Sequence, residues 1–312
     1  MGLAVKSVSV GLWWLLLGLL LSGCSILPGL GNEKEQMAAE TDNPSLPDSC
    51  PAPGEWHVVG ETAPLSQSDL LEKLTRDSIV LLGERHSARA DHHWQLHLMA
   101  ALHGRFEGLA VGYEMFVREQ QPVLDAWLDG RISDRELQEQ SDWDRHWGMD
   151  FSLYEPLLRF NRLQKIPARA LNVPRDLVRR IGRDGWESVP EEERYGLSRG
   201  AEPPQVYRDY LAGMAQHPGH EAASEEEVLA FIRAQGVWDR AMAEGLSAMA
   251  DKADGPVVGI VGRGHVVNGH GIPYQLEDLG ETSVWVLLPW REGDECLTGD
   301  STPADALYGL PR

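Results

Sequence analysis

The sequence predicts an α/β fold: a mostly parallel sheet with helices on both faces and an inserted helical lobe. Three observations lead there. Short apolar runs recur at Ile79–Leu82, Leu109–Met115, Ala168–Val173, Val257–Val261 and Val284–Leu288. Helical patterns separate them, and strands that alternate with helices pair in parallel with both faces covered. The interval between the third and fourth runs is helical over most of its length, which predicts a lobe over about residues 174–253.

The start of the chain stands outside this pattern. Lys6 is the one charge before the apolar run Val10–Leu21, and Leu21, Ser22, Gly23 and Cys24 follow. A positive start, an apolar stretch and small residues before a cut describe a secretory signal over residues 1–23. The Leu-Ser-Gly-Cys ending resembles the bacterial lipoprotein signal, in which the cysteine is lipidated. Cys24 is therefore the expected anchor to a lipid bilayer, and Ser25 after it resembles an outer-membrane address. The alternative is an uncleaved anchor, for which the run is shorter than the roughly 20 residues a spanning helix needs. Residues 24–53 are rich in Gly, Pro, Asn, Asp and Glu without periodicity, as in a flexible tether. The rest, 54–312, is expected to be a single domain.

Cys50 and Cys296 are the other two cysteines. In an oxidising compartment they can pair; otherwise they are free thiols. The formal charge of −20, one unit more negative once Lys6 is removed, repels nucleic acid and anionic headgroups.

The elements follow in order. Ser66 or Ser68 starts a helix within Glu61–Thr75, with Asp69 in its first turn. The first strand, Ile79–Leu82, ends in Gly83-Glu84-Arg85-His86, and a helix follows over about Ala90–Leu102 with Trp94, Leu98, Ala101 and Leu102 on its apolar face. The second strand carries Glu114 near its end, before helices near Gln121–Leu128 and Asp134–Gln140. An aromatic-rich stretch from Trp143 enters a helix at Leu153–Leu163. The third strand ends in Asn172, and Pro174 opens the next helix, a position proline tolerates. The fourth strand runs into Gly262-Arg263-Gly264-His265. A short helix near Tyr274–Leu279 precedes the fifth strand.

Two strand ends thus share a Gly-x-x-His turn, a third carries Glu114, and parallel strands place their ends along one edge, where α/β sheets hold ligands. Glu84, His86, Glu114 and His265 are expected to converge. Two imidazoles and two carboxylates can bind a divalent metal, serve as general acid and base, or simply close the sheet with hydrogen bonds. His93 and His97 share a helix face at ligand spacing, but no Glu follows His93 as in the zinc-protease signature. His92 or His93 can instead reach back to the strand end. There is no Gly-x-Ser-x-Gly elbow, phosphate loop, Rossmann fingerprint or Cys-x-x-Cys-His haem attachment.

These motifs together resemble the ChaN-like haem-binding, iron-regulated lipoproteins. The resemblance spans about Val80–Leu288. It rests on Leu82-Gly-Glu-x-His86 with His92-His93, Tyr113-Glu-Met-Phe-x-Arg-x-Gln-Gln-Pro122, Trp143-Asp-x-x-Trp147-Gly with Tyr154-x-Pro156, Ala170-Leu-Asn-Val-Pro-Arg175, Gln235-x-x-Trp-Asp-x-Ala-Met-Ala243 and Gly262-x-Gly-His265. It implies an outer-membrane-tethered lipoprotein, facing the periplasm, that binds b-type haem non-covalently in haem or iron uptake or storage. It also implies a tyrosine ligand to iron and a homodimer sharing two stacked haems. Tyr154, beside Trp147 and Phe151, is the expected iron ligand, with Tyr207, Tyr210, His217 and His220 as rivals. Otherwise Tyr154 is a half-buried helix tyrosine whose hydroxyl finds a backbone partner. The Gly-x-x-His, Glu, Gly-x-x-His set is also similar to erythromycin esterases and Tiki-type proteases. That likeness implies a metal- or His/Glu-dependent hydrolase as the alternative function.

Overall fold

A computed structural model describes residues 50–216, 223–298 and 302–311. The expected signal segment, Cys24 and most of the tether lie outside the described residues, as do His217 and His220.

Among the described residues seven strands form one sheet: β1 (Trp56–Val58), β2 (Ile79–Glu84), β3 (Ala110–Val117), β4 (Ala168–Asn172), β5 (Val257–Gly262), β6 (Val284–Trp290) and β7 (Ala306–Gly309). Their spatial order is β1-β7-β6-β2-β5-β3-β4, and every pair is parallel except β1 with β7. The helices are α1 (Gln67–Lys73), α2 (Arg89–Arg105), α3 (Gln121–Leu128), α4 (Asp134–Gln140), α5 (Trp143–His146), α6 (Phe151–Gln164), α7 (Arg175–Asp184), α8 (Gln205–Ala215), α9 (Glu225–Ala250) and α10 (Ile272–Asp278). Among the described residues no helix is long and apolar enough to cross a membrane.

Each α/β layer follows from strand alternation. Val80 and Leu82 of β2 turn to one side and pack with Trp94 and Leu98 of α2 and Leu157 of α6. Ile79 and Leu81 turn to the other and pack with Met242, Leu246 and Met249 of α9 and Leu276 of α10. Both faces of β2 are apolar, so the strand is buried at every position. Capping boxes start α1 (Ser66 with Asp69), α4 (Ser133 with Glu136) and α9 (Ser224 with Glu227), each satisfying amide groups the first turn leaves open.

The structure adds two strands to the five expected. β1 and β7 are three and four residues long and extend the sheet beyond β6. The expected lobe packs as more than one cluster. The C-terminal half of α9 covers the sheet, whereas Tyr207 and Leu211 of α8 and Ile232 of α9 make a separate small cluster. Packing also begins earlier than residue 54. Cys50 and Cys296 are bonded, with Cα atoms 5.0 Å apart, and Gly54 donates to the Gly309 carbonyl at 2.8 Å.

Candidate functional site

The site is built where β2, β3 and β5 end. Glu84 pairs in register with Gly262, and a Cβ at Gly83 would push on the Leu288 side chain and sit 3.0 Å from Val266, so glycine lets the two segments close up. β3 pairs with β5 as far as Tyr113 and Ile260. Its pairing with β4 shifts register between Tyr113 and Val117, an irregularity that re-aims side chains. Glu114 falls in that interval. Its Oε2 accepts the Gly262 N–H at 2.6 Å, so a carboxylate takes over where the ladder stops.

Glu84 is 2% exposed and centres the first cluster. Its Oε1 accepts from the Tyr154 hydroxyl at 2.7 Å and from His86 Nδ1 at 3.0 Å. Its Oε2 lies 3.0 Å from His92 Nδ1. His92 Nε2 is 3.1 Å from the His86 carbonyl, so both ring nitrogens face acceptors, which favours the doubly protonated ring. Burial alone would raise the Glu84 pKa, but the contacts from His86 and His92 outweigh it and hold the carboxyl below its ordinary value. Burial works against charge on both imidazoles too, and Glu84 reverses it, so both are raised.

His265 centres the second cluster. Its Nδ1 is 2.6 Å from Asp239 Oδ1, and its Nε2 is 3.6 Å from Glu114 Oε1. The Tyr207 hydroxyl donates to the other Asp239 oxygen at 3.0 Å. Burial opposes the charged ring, but Asp239 and then Glu114 push its pKa up to about 9. Burial pulls the Asp239 carboxyl upward even so. We read the pair as carboxylate and imidazolium, because Glu114 supplies a second anion on the far side of the ring. The two clusters mirror each other: each Gly-x-x-His ring is held by a buried acid that also accepts from a buried tyrosine.

Between them opens a cleft of about 640 Å³. Glu84, His86, Glu114 and His265 all line it, so the four strand-end residues do converge. His86 is the accessible member, its side chain 34% exposed, with its ring 4.7 Å from that of Trp147. Trp147, Met149, Met214, Phe231 and Trp238 form the apolar walls, and Tyr210 lies on the α8 side. Arg85, Arg175 and Arg263 supply positive charge.

Several expected residues sit elsewhere. Tyr154 is 0% exposed and lies behind Glu84, not on the cleft wall. Burial, then Glu84, raises its pKa far above the ordinary tyrosine value, so its hydroxyl is a committed donor and not an open phenolate. In this structure the expected iron ligand Tyr154 thus faces Glu84 and not the cleft. Phe151 is buried against Trp143, with ring centroids 5.1 Å apart, and does not line the cleft either. Trp147 does. His93 is exposed and His97 is paired with Gln67 at 2.8 Å, so they make no joint site; His92 is the one that reaches back. Asn172 lines the cleft and holds the Glu114 carbonyl at 3.3 Å. No group of three or more His, Cys, Asp or Glu among the described residues is arranged for a metal ion.

Sequence reasoning missed Asp239. Its signal was present: Asp239, Met242, Ala243 and Leu246 share one helical face by spacing, and the last three are buried. An acid on the apolar face of a helix needs a partner.

Comparison with known proteins places this geometry. A family described as haem-binding uptake, Tiki superfamily, ChaN matches residues 70–276, and the chain belongs to it. Among solved structures, ChaN of Campylobacter jejuni with cofacially bound haem is similar at 19% identity, covering 81% of this chain and 95% of that one with a TM-score of 0.65; the likeness shows a shared fold. An erythromycin esterase variant of EreC in its open conformation is 15% identical over 71% of this chain and 72% of its own (TM-score 0.42). The type III effector HopBA1 is 11% identical over 75% and 87% (TM-score 0.43). No curated protein matches.

Proposed function

We propose that the cleft binds haem non-covalently and that the chain serves haem or iron uptake or storage. The observation that carries this reading is the wall composition. Aromatic rings and thioethers face one another across a volume in the range of small-molecule sites. A porphyrin plane suits such walls, and Arg175, which has no carboxylate partner among the described residues, suits one of its carboxylates. Family membership supports the same cargo.

Bound haem brings an iron that needs an axial donor, and a phenolate oxygen suits the ferric state. With Tyr154 committed to Glu84, Tyr210 is the phenol we assign to it. It is half-buried on the cleft wall. Burial raises its pKa, and Arg263 opposes that rise. Titration of the purified protein with haem, read in the visible spectrum, tests the assignment. Tyr210→Phe is expected to alter the spectrum and Tyr154→Phe to leave it unchanged. The reverse pattern returns the ligand to Tyr154.

A hydrolase reading rests on His86, which is accessible and oriented by Glu84. Under that reading His265, held up to about 9 by Asp239 and Glu114, serves as a proton donor and not as the base. An ester and amide panel with His265→Ala as control decides; turnover lost in that variant would favour the hydrolase.

We also propose that Cys24 carries lipid and tethers the protein to the outer membrane, facing the periplasm, and that two copies share two haems. The signal pattern supports the first and the resemblance the second. Metabolic labelling with a fatty acid, absent in Cys24→Ser, tests the anchor; sedimentation with and without haem tests the dimer.

A further inference from the structure

We infer that a groove along the β4 edge of the sheet, which shares no lining residue with the cleft, binds an amphiphilic monocarboxylate, of the class of a medium-chain fatty acid. The groove lies beside the first residues of β3 and β4 and the last turn of α9, with a volume of about 590 Å³. Ala248, Met249 and Ala253 contribute an apolar floor. Arg118, Arg169 and Lys252 supply positive charge.

Arg169 is the informative residue. It is half-buried on β4, and its side chain has no hydrogen-bond or ion-pair partner among the described residues. In a chain with 48 acidic residues an unpaired half-buried guanidinium is unexpected. The charge nearest in effect is another cation: burial lowers the Arg169 pKa and Arg118 adds to it. Arg118 is already engaged with Glu244 at 3.0 Å and the Ala241 carbonyl at 2.9 Å, and its Nε is buried without a partner. Lys252 is exposed, and its side chain has no partner among the described residues. The one acid on the lining, Asp254, is exposed, with its backbone carbonyl taken by Arg76.

β4 is an edge strand, so an added peptide strand is the rival occupant. Gln121 blocks it. Its amide donates to the Ala168 carbonyl at 2.9 Å and accepts from the Ala170 N–H at 2.7 Å, filling the edge positions a strand would use. What remains is apolar surface beside unneutralised guanidinium, which fits a ligand with an acid head and a hydrocarbon body.

Calorimetric titration of the full chain with dodecanoate below its micellar concentration tests this. Saturable binding of one molecule per chain is expected, with dodecanol and acetate each at least about tenfold weaker because each lacks one half of the match. Arg169→Gln should weaken dodecanoate about tenfold, and the cleft variant Trp238→Ala should leave it unchanged. Should Arg169→Gln fail to fold by circular dichroism, Ala248→Leu, which fills the floor and keeps the charge, must weaken binding in its place. The inference is overturned by no saturable binding, by dodecanol binding as tightly as dodecanoate, by unchanged binding in the folded groove variants, or by its loss in Trp238→Ala.

Discussion

Asp239→Asn should remove most of an alkaline loss of stability that the wild type shows. The His265 ring has an ordinary pKa of 6.5, raised in the fold to about 9 by Asp239 and Glu114. A base with a raised folded pKa stabilises the protein fully below its unfolded pKa, and that contribution fades as pH climbs through the folded value. At 1.36 kcal/mol per unit, the 2.5-unit difference amounts to about 3 kcal/mol, lost between pH 6.5 and just above 9. His86 and His92 are raised too and contribute in the same direction. The difference between wild type and variant therefore isolates His265. Asparagine keeps the shape of Asp239 but removes the charge, leaving the 3.6 Å contact to Glu114 as the remaining anion. Urea unfolding at pH 6, 7, 8, 9 and 10 is the assay. The variant should be less stable at pH 6, by at most about 3 kcal/mol because Glu114 keeps a share of the shift, and the gap should close as pH rises to 10, where the wild type also carries the cost of the buried Asp239 charge. Parallel profiles, offset by a constant amount, would refute the ion-pair reading and leave Asp239 a hydrogen-bonding residue only.

Glu84→Gln should cost about 3–5 kcal/mol in urea midpoint analysis, because it strands His92 as a buried cation without its anion. Gly262→Ala would place a Cβ 2.6 Å from His86 Cε1. It should displace that ring, seen as a shifted imidazole resonance, and lower stability by about 1–3 kcal/mol. Replacing Cys50 and Cys296 by serine opens a link between residues 246 apart and should lower stability by about 2–5 kcal/mol, read as a lower urea midpoint under non-reducing conditions.

The sheet was readable because β2 and β5 are apolar at nearly every position, a pattern few other elements share. Their ends were readable for a second reason. Gly83 and Gly262 mark places where another chain segment comes close, and a polar residue beside such a glycine has little choice but to face the edge. Parallel pairing then brought Glu84, His86, Glu114 and His265 into one cleft. β1 and β7 were not readable. Trp56–Val58 gains its strand partner from a segment some 250 residues later, and no local pattern encodes that pairing. The surroundings of Tyr154 were not readable for a related reason. The resemblance implies a tyrosine ligand, but a local stretch does not tell whether a given hydroxyl meets the cleft or a buried carboxylate. In the fold Glu84 comes from 70 residues earlier to claim that hydroxyl. Asp239 shows the converse: the spacing placed it on the buried face, and only its charge argued otherwise.

The central claim is that the cleft between the two histidine clusters holds haem. Titration of the purified full chain with haem, followed in the visible region, tests it most directly. A saturating Soret band is expected, weaker in Trp238→Ala and changed in shape in Tyr210→Phe. No Soret band after reconstitution, or one unaffected by either cleft substitution, would contradict it.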